Sequence, residues 1–454
     1  MLHSTEMSLV LGAKRFLEWR HSKYMMGRIS EYPVLVLNLC LFVCFRYSTY
    51  ITAIVIRGLL LTSLQAALGG EVVNMQQIRA FLRVHLKDYG LLDFDASDVS
   101  NPPPVDTTWQ QIYFCLRSGY NDEARTVAAS SNASQEFAPP LNEWITSGGR
   151  VSPETSARAS YELDMMLRTY DVEGGAGYEK EKMLVYALVS GSRSLFHRLR
   201  EDYSPLFDTD EHYHWFMLAS IRDIPVGAAS TVTHAGLETL TLSDLQVYVN
   251  TSGPDEADRL MYPYLLLLSI QLIPAITYMF EEYDIDAAHV SIALADHGVL
   301  SEVAGAAQGI GMMDAYGKAS HITKQYGSTR FLPHDISMAL EYYAQAAAVL
   351  GGGRLAWPIG GNVGQQRQRN ARLKHVLSEL LMTDGGIRLL FGFRGKEGEL
   401  ARFFPDVNER IQFLHEAARQ CQEFGLPGKV IPLCYQVCKF SELFSFLSYF
   451  VYAV

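Results

Sequence analysis

Two helical corners of nearly the same sequence constrain the fold of this chain most strongly. They are Tyr120-Asn-Asp-Glu-Ala124 and Tyr283-Asp-Ile-Asp-Ala287, and each closes one helix with apolar periodicity and opens another. At the first corner, Gly119 can adopt the left-handed conformation that ends a helix, and Asn121 or Asp122 can cap the next one. A hairpin of two such helices buries only one side of each helix and needs neighbours, so the corners predict a stack of helices.

Three further segments show the caps and the apolar spacing of amphipathic helices. Asp335 precedes the first, Asn408 precedes the second, and the third is predicted to begin near Glu179. Their apolar stripes are Ile336, Leu340, Tyr343, Ala347 and Leu350; Ile411, Leu414, Ala418 and Cys421; and Leu184, Leu188 and Leu195. Because strand-like alternation is scarce, the sequence predicts an all-α fold with more than half of its residues helical. The expected architecture is an elongated α-solenoid of stacked antiparallel helix pairs.

Two tryptophans are predicted to be packed anchors between helices. Trp109 shares a predicted helix face with Ile112, Tyr113 and Leu116. Trp215 lies among apolar neighbours in a second helical segment.

The composition of the chain limits which cellular compartment and which binding partners we expect. The chain has 454 residues, 49 acidic against 38 basic, a formal net charge of -11, and no run of lysines or arginines. We therefore expect no direct binding of nucleic acid, which requires a basic surface to neutralise phosphates. Six scattered cysteines do not make a disulfide scaffold and indicate a reducing compartment. The amino-terminal residues lack the layout of a signal peptide, so we expect no secretion.

Two glycine-rich segments resemble nucleotide-binding motifs, and neither fits. In residues 311–318, five residues rather than four separate the glycines, and Ala319 replaces the hydroxyl that would hold magnesium. Residues 351–356 follow a predicted helix, whereas the dinucleotide fingerprint follows a strand, so a helix cap explains these glycines better. We predict no cofactor-binding residues.

Candidate metal ligands and nucleophiles have structural explanations as well. His212 and His214 are two residues apart and point away from each other on a helix, and their apolar neighbours indicate core packing. The cysteine pairs 40/44 and 434/438 lack the further ligands of a zinc site. Ser190 and Ser192 lack the full nucleophile elbow. The acidic residues 281–286 lie at a helix corner, where helix caps and dipoles account for them. We predict no catalytic and no metal-binding residues, and no enzyme.

Two apolar segments raise the question of a membrane. Residues 261–280 carry no charge, but Pro263, Gln271 and Pro274 interrupt them, which favours a buried helix of the stack. Residues 34–64 are strongly apolar, yet Arg46 falls inside the segment and Arg57 near its end. A central arginine costs about 2.5 to 3.5 kcal/mol on insertion, which the surrounding apolar residues can offset. A membrane span therefore stays open for this segment.

The sequence resembles the nucleoporin interacting component family, the helical scaffold subunits of the inner ring of the nuclear pore, and is most similar to plant members. Each matching segment is weakly specific alone, but together they occur in the order of the family and cover most of residues 7–436. They are Ala13-Lys-Arg-Phe-Leu-Glu-Trp19, Ala66-Ala-Leu-Gly-Gly70, Ile78-Arg-Ala-Phe-Leu-Arg83, and residues 109–119, 179–191, 210–223, 288–294, 333–350 and 378–406.

The resemblance implies an α-solenoid without catalytic residues, located in the nucleus at the nuclear pore complex of the envelope. The implied function is that of a structural constituent that binds other inner-ring scaffold nucleoporins and supports pore assembly and the transport of protein and mRNA. The alternative is a membrane-anchored helical adaptor protein. Membrane contact itself is left open.

Three departures from the family pattern set the expected domain organisation. The family's amino-terminal region, whose short helices recruit channel nucleoporins, has no counterpart here, so we do not expect that recruitment. The carboxy-terminal helices are missing too. Residues 34–63 interrupt two segments that are contiguous in the family, Glu31-Tyr-Pro33 and Ala66-Ala-Leu68. We expect residues 1–33 to begin the solenoid, 34–64 to be an apolar insertion that is non-native or membrane-associated, 65–437 to form the scaffold domain, and 438–454 to be an apolar tail that departs from the family.

Overall fold

Helices account for nearly all the regular structure in the described residues of this protein. The computed structural model describes residues 2–31, 71–95, 103–173, 180–203, 206–221, 240–254, 259–300, 312–350, 363–392, 398–423 and 425. The helices are α1 (Leu2–Glu31), α2 (Glu71–His85), α3 (Thr108–Arg117), α4 (Asn121–Ser130), α5 (Ala138–Thr146), α6 (Pro153–Glu173), α7 (Lys180–Ser190), α8 (Arg193–Asp202), α9 (Asp210–Ser220), α10 (Leu242–Ser252), α11 (Met261–Leu268), α12 (Leu272–Glu282), α13 (Asp284–Asp296), α14 (Met312–Arg330), α15 (Ile336–Leu350), α16 (Val363–Leu381), α17 (Gly386–Phe391), α18 (Leu400–Phe403) and α19 (Val407–Glu423).

The prediction of an all-α fold is confirmed. Within the residues just given there is no strand, and an isolated parallel bridge joins Leu92 to Val105. A short 3-10 turn, Asp93–Asp95, follows that bridge. The chain divides into two compact units, Met7–Gly253 and Pro254–Val454, the second together with Met1–Glu6.

The Met7–Gly253 unit is built around α3. This helix packs against α2, α4 and α7, and α7 in turn packs against α5, α6 and α9. Nearly every residue of α3 is buried, including the polar Gln110, Gln111 and Arg117. The sequence pattern had indicated a single apolar face with Trp109 on it. In the structure α3 is buried on all sides, and Trp109 is its least buried residue, although its ring contacts Phe137 and Tyr186.

The first helical corner is partly as predicted. Gly119 has φ of +77°, and the amide of Tyr120 donates to the carbonyl of Cys115 at 2.8 Å, which closes α3 in the expected left-handed cap. The predicted caps of α4 are wrong. Asn121 is the first residue of α4, and no side chain caps that helix. Asp122 instead pairs with Arg125 one turn further along.

The Pro254–Val454 unit shows the stacking of helix pairs most clearly. Each helix from α11 to α16 packs against the next one in the chain. Short turns join most of these helices, which makes them antiparallel neighbours, and α14 and α15 make the most extensive contact. The hydroxyl of Ser320 on α14 donates to the carbonyl of Ala346 on α15 at 2.7 Å, inside the buried seam. The predicted stack of helix pairs is thus present in this unit.

Residues 261–280 form two helices rather than the one helix expected from their apolar sequence. α11 ends where Ile270 adopts φ of +62°, and the amide of Gln271 donates back to the carbonyl of Leu266 at 2.8 Å. Ile270 is 5% exposed, so its side chain is buried in a conformation that branched residues rarely adopt. No helix in the described part of the chain is long and apolar enough to cross a membrane. Residues 34–64 lie outside that part.

Of the two predicted caps at Asp335 and Asn408, the first is confirmed and the second is wrong. Asp335 caps α15 as expected, because its carboxylate accepts from the amides of Ser337 and Met338 at 3.0 and 3.1 Å. Asn408 does not cap α19. Asp406, two residues earlier, accepts from the amide of Asn408 at 2.9 Å.

The single helix predicted to contain Leu184, Leu188 and Leu195 is two helices in the structure. α7 begins at Lys180, close to the expected Glu179, and Leu184 and Leu188 are fully buried in it. Leu195 lies in α8, beyond Gly191, whose φ of +58° separates the two helices. The glycine-rich residues 311–318 do not form a phosphate loop, because Lys318 lies inside α14.

Candidate functional site

A cavity of about 260 Å³ lies in the Met7–Gly253 unit, where five helical segments meet. Three residues of α1, two of α2 and three of α3 form one part of its wall, and the start of α7 and the segment leading into α9 form the rest. The lining residues are Arg20, His21, Tyr24, Phe81, His85, Tyr113, Phe114, Arg117, Lys180, Glu181, Asp208, Thr209, Glu211 and His212. The cavity therefore joins parts of the chain that are nearly two hundred residues apart.

Stacked rings form the wall on the side of α1 and α2. The imidazole of His21 stacks on Phe114 with ring centroids 5.9 Å apart, and that of His85 stacks on Phe81 at 5.4 Å. Phe81 meets Phe114 edge to face at 5.1 Å. The Nδ1 atom of His21 lies 3.1 Å from the hydroxyl of Ser118. Burial lowers the pKa of His21 and that of His85, so these rings pack as neutral aromatics.

Next to these rings, the hydroxyl of Tyr113 forms a hydrogen bond with Nε2 of His212. Burial lowers the pKa of His212 to about 3, with a further contribution from the nearby Arg117 guanidinium. Burial also raises the pKa of Tyr113 well above its usual value. Both partners are therefore neutral near pH 7. A neutral phenol next to a neutral imidazole makes a structural hydrogen bond between α3 and α9, and at neutral pH neither group is poised to exchange a proton.

The charged residues of the cavity neutralise one another. Arg20 pairs with Glu211 at 3.1 Å, and Arg117 approaches the same carboxylate at 3.8 Å. Lys180 pairs with Asp208 at 2.6 Å. Since three cations and three carboxylates line the cavity, its wall has no net charge at neutral pH if Glu181 is ionised.

Arg117 ties three helices together from inside the unit. Its guanidinium donates to the carbonyl of Leu17 on α1 at 3.1 Å and lies 4.9 Å from the centre of the Trp215 ring on α9. Trp215 is fully buried, as predicted for a packed anchor. The guanidinium is thus held by a backbone carbonyl, a carboxylate and an aromatic face, which offsets the cost of burying its charge.

Glu181 is the least compensated charge of the wall. It is 7% exposed, and its carboxylate accepts a long hydrogen bond of 3.4 Å from the side chain of Gln110. Burial raises the pKa of this carboxyl group. A buried carboxylate whose side-chain donor is this distant resembles a catalytic acid electrostatically, but none of the residues lining the cavity is a cysteine or serine nucleophile.

Neither the cavity nor its residues were expected from the sequence. The two histidines 212 and 214 were interpreted as core residues, and both are buried, His214 with its Nδ1 atom 2.6 Å from the carbonyl of Asp210. Tyr113 and His212 are 99 positions apart, so no local spacing could have paired them. In the part of the chain that the structure describes, no cluster of three or more potential metal ligands occurs. The cysteine pairs 40/44 and 434/438 and the glycines 351–353 lie outside that part.

Comparison with known proteins gives consistent matches. The family model described as Nup93/Nic96 matches residues 46–449. Nuclear pore complex protein NUP93A of Arabidopsis thaliana is 48% identical over 451 residues, which cover 96% of this chain and 49% of that protein. NUP93B of the same plant is 48% identical over 452 residues, which cover 97% of this chain and 49% of the relative. The chain spans about half the length of the curated relatives it matches. Because the family model covers most of its residues, the chain belongs to the Nup93/Nic96 family.

Proposed function

We propose that this chain is a scaffold subunit of the inner ring of the nuclear pore complex, located at the nuclear envelope. In that role it supports pore assembly and the movement of protein and mRNA between nucleus and cytoplasm. The observation that carries the proposal is the family match over residues 46–449, joined by two relatives whose names describe them as nuclear pore complex proteins.

The interior chemistry supports a structural role. Its neutral histidines, its paired charges and the Tyr113–His212 hydrogen bond all serve to join helices to one another. A stack of helices acts through its extended outer surface, which suits a protein that holds other subunits in place. We therefore propose that the chain has no catalytic activity and uses no cofactor or metal.

The proposed partners are other inner-ring scaffold nucleoporins. The net charge of -11 argues against direct binding of nucleic acid, because phosphates would be repelled by most of the surface. Recruitment of channel nucleoporins is not part of the proposal.

Affinity capture from nuclear envelope extract tests the proposal. The tagged chain should recover other inner-ring nucleoporins in stoichiometric amounts. The destabilised control is the Trp215→Ala variant, which removes the fully buried anchor of α9 and should recover less of those partners because a larger fraction of its molecules is unfolded. If the folded chain recovers no pore component, the proposed function is wrong.

We also propose that residues 34–64 are not required for the folding of the scaffold, which keeps the expected domain division. The support comes from α1 and α2, which pack together from either side of that segment. The rings of His21 and Tyr24 on α1 each contact Phe81 on α2 with centroids 6.3 Å apart. Both helices also contact Tyr120, whose hydroxyl lies 2.8 Å from that of Ser22 and donates to Gln77 at 3.3 Å.

Deletion of residues 34–63 tests that division. The shortened chain should unfold as cooperatively as the whole chain and should be more soluble, since it loses a long apolar surface. Loss of the cooperative transition would show that the segment belongs to the core. Resistance of the whole chain, but not of the shortened one, to carbonate extraction from membranes would instead favour the membrane-anchored adaptor.

A further inference from the structure

The helix α1 presents a continuous exposed stripe on the side away from the core of its unit. Buried residues of α1 recur at Val10, Leu17, Met25 and Ile29. The exposed residues recur with the same helical period on the opposite side, and large side chains dominate them. We name this the outward face of α1, and its main residues are Leu11, Arg15, Phe16, Trp19 and Lys23.

Aromatic rings occupy an unusual share of the outward face. Trp19 is 57% exposed, and Leu11 and Phe16 are each exposed by more than two fifths. Phe16 and Trp19 contact each other with ring centroids 6.1 Å apart, so they form one apolar ridge. Lys23 lies 5.8 Å from the centre of the Trp19 ring on the same ridge. A patch of this kind marks an interaction surface.

The outward face is basic in a chain that is acidic overall. Arg15 and Lys23 are exposed on it, and Arg20 lies at its edge, where it pairs with Glu211. Between Met7 and Gly27 the only carboxylate of α1 is Glu18, which is 8% exposed and pairs with Lys14 on the buried side. The outward face is therefore positively charged, whereas the whole chain has a net charge of -11. It is complementary to an anionic surface.

The residue types of the outward face favour a lipid surface, rather than a protein helix, as its binding partner. A helix partner would pack against a seam of apolar residues at heptad spacing, and Gly12, Arg15 and Lys23 interrupt such a seam here. Tryptophan prefers the boundary between headgroups and acyl chains, and lysine and arginine bind anionic headgroups. At 1.5 Å per residue the stretch from Leu11 to Lys23 is roughly 18 Å long, enough to contact several headgroups.

We propose that the outward face of α1 binds the surface of a membrane that contains anionic lipids, as a peripheral contact that does not cross the bilayer. The rings of Trp19 and Phe16 insert at the headgroup level, and Arg15 and Lys23 pair with lipid phosphates and carboxylates. This inference does not depend on the proposed pore assembly, since a vesicle assay tests it without any protein partner.

Flotation of the full chain with lipid vesicles tests the inference. The chain should float with phosphatidylcholine vesicles that contain phosphatidylserine and much less with phosphatidylcholine alone. The Arg15→Gln/Lys23→Gln double variant should bind the anionic vesicles about 30-fold more weakly, because it loses two basic contacts with the surface. The Phe16→Ser/Trp19→Ser variant, which removes the apolar ridge, should lose binding to a similar or greater extent. Since all four side chains are exposed, thermal unfolding should not change.

Matched control variants lie elsewhere on the chain. Arg158→Gln/Lys318→Gln removes two exposed cations from α6 and α14, and Val247→Ser removes a side chain that is 60% exposed on α10. Both controls should bind vesicles as the unchanged chain does. Equal binding by the outward-face variants and the unchanged chain would overturn the inference, and would assign any membrane affinity to another segment. Loss of binding to soluble polyglutamate, without loss of vesicle binding, would assign the face to an acidic protein instead.

Discussion

In the Pro254–Val454 unit, α14 and α15 pack tightly against each other. This packing predicts the effect of a substitution at one glycine of α14. Gly327 lies on α14 directly against α15, and a methyl group added there would stand 2.5 Å from Cβ of Tyr342. Ordinary carbon contacts are about 3.5 to 4.0 Å, so the two helices would have to separate by about 1 Å or more. The obstacle is the root of the tyrosine side chain, which cannot rotate away. The Gly327→Ala variant must therefore strain the seam between α14 and α15.

The size of the effect follows from two opposing contributions. Replacing glycine by alanine inside a helix normally stabilises it by up to about 1 kcal/mol. Overpacking costs about 1 to 3 kcal/mol, and separation of the helices also weakens the Ser320 hydrogen bond to Ala346, which contributes about 1 kcal/mol. We expect Gly327→Ala to lower the free energy of unfolding by about 1 to 2 kcal/mol. For a unit of this size the melting temperature should fall by roughly 3 to 6 °C.

The same helix supplies the control. Gly317 also lies on α14, and a methyl group added there would meet nothing within 4 Å. Gly317→Ala should therefore raise the melting temperature by about 2 °C, because only the helix propensity changes. Differential scanning calorimetry of the two variants measures both shifts. If both variants are stabilised, α14 and α15 do not meet at Gly327, and the described packing of this seam is wrong.

Three further predictions concern the buried residues and one helix cap. Trp215→Ala should cost about 3 to 5 kcal/mol in chemical denaturation, whereas Trp109→Ala should cost only about 1 to 2 kcal/mol, because its ring is partly exposed. The pKa of His212 is about 3 in the folded chain and about 6.5 when unfolded, so its stabilisation is present above pH 6.5 and is lost as the pH falls toward 3. Between pH 7.5 and 5.5 the unchanged chain should therefore lose about 1 kcal/mol more of its free energy of unfolding than His212→Gln does. Asp335→Ala should cost about 1 kcal/mol, and an unchanged denaturation midpoint would show that the cap does not form in solution.

The features that the sequence predicted correctly are local ones. Gly119 ends a helix because only glycine adopts its backbone conformation without strain, and Asp335 caps a helix through amides two and three residues away. Both depend on neighbouring residues, so a single sequence contains the whole signal. The family resemblance adds to these local signals because it depends on the order of the matching segments along the whole chain.

The features that the sequence did not predict depend on contacts between distant segments. α3 is buried on all sides because other helices surround it. From the sequence alone, its polar residues indicate an exposed face. Tyr113 and His212 meet across 99 positions. At Ile270 the apolar composition indicated a continuing helix, and the surrounding core instead holds this residue in a strained conformation. In each case tertiary packing overrides the local preference of the chain.

Imaging of the fluorescently tagged chain in living plant cells tests the central claim most directly. A scaffold subunit of the inner ring should concentrate in a continuous rim at the nuclear envelope and coincide with other pore proteins. The Trp215→Ala variant, whose core is destabilised, should show a weaker rim, because the outer surface depends on the stack beneath it. A diffuse signal from the folded, unchanged chain, or a rim signal that does not coincide with pores, would contradict the account.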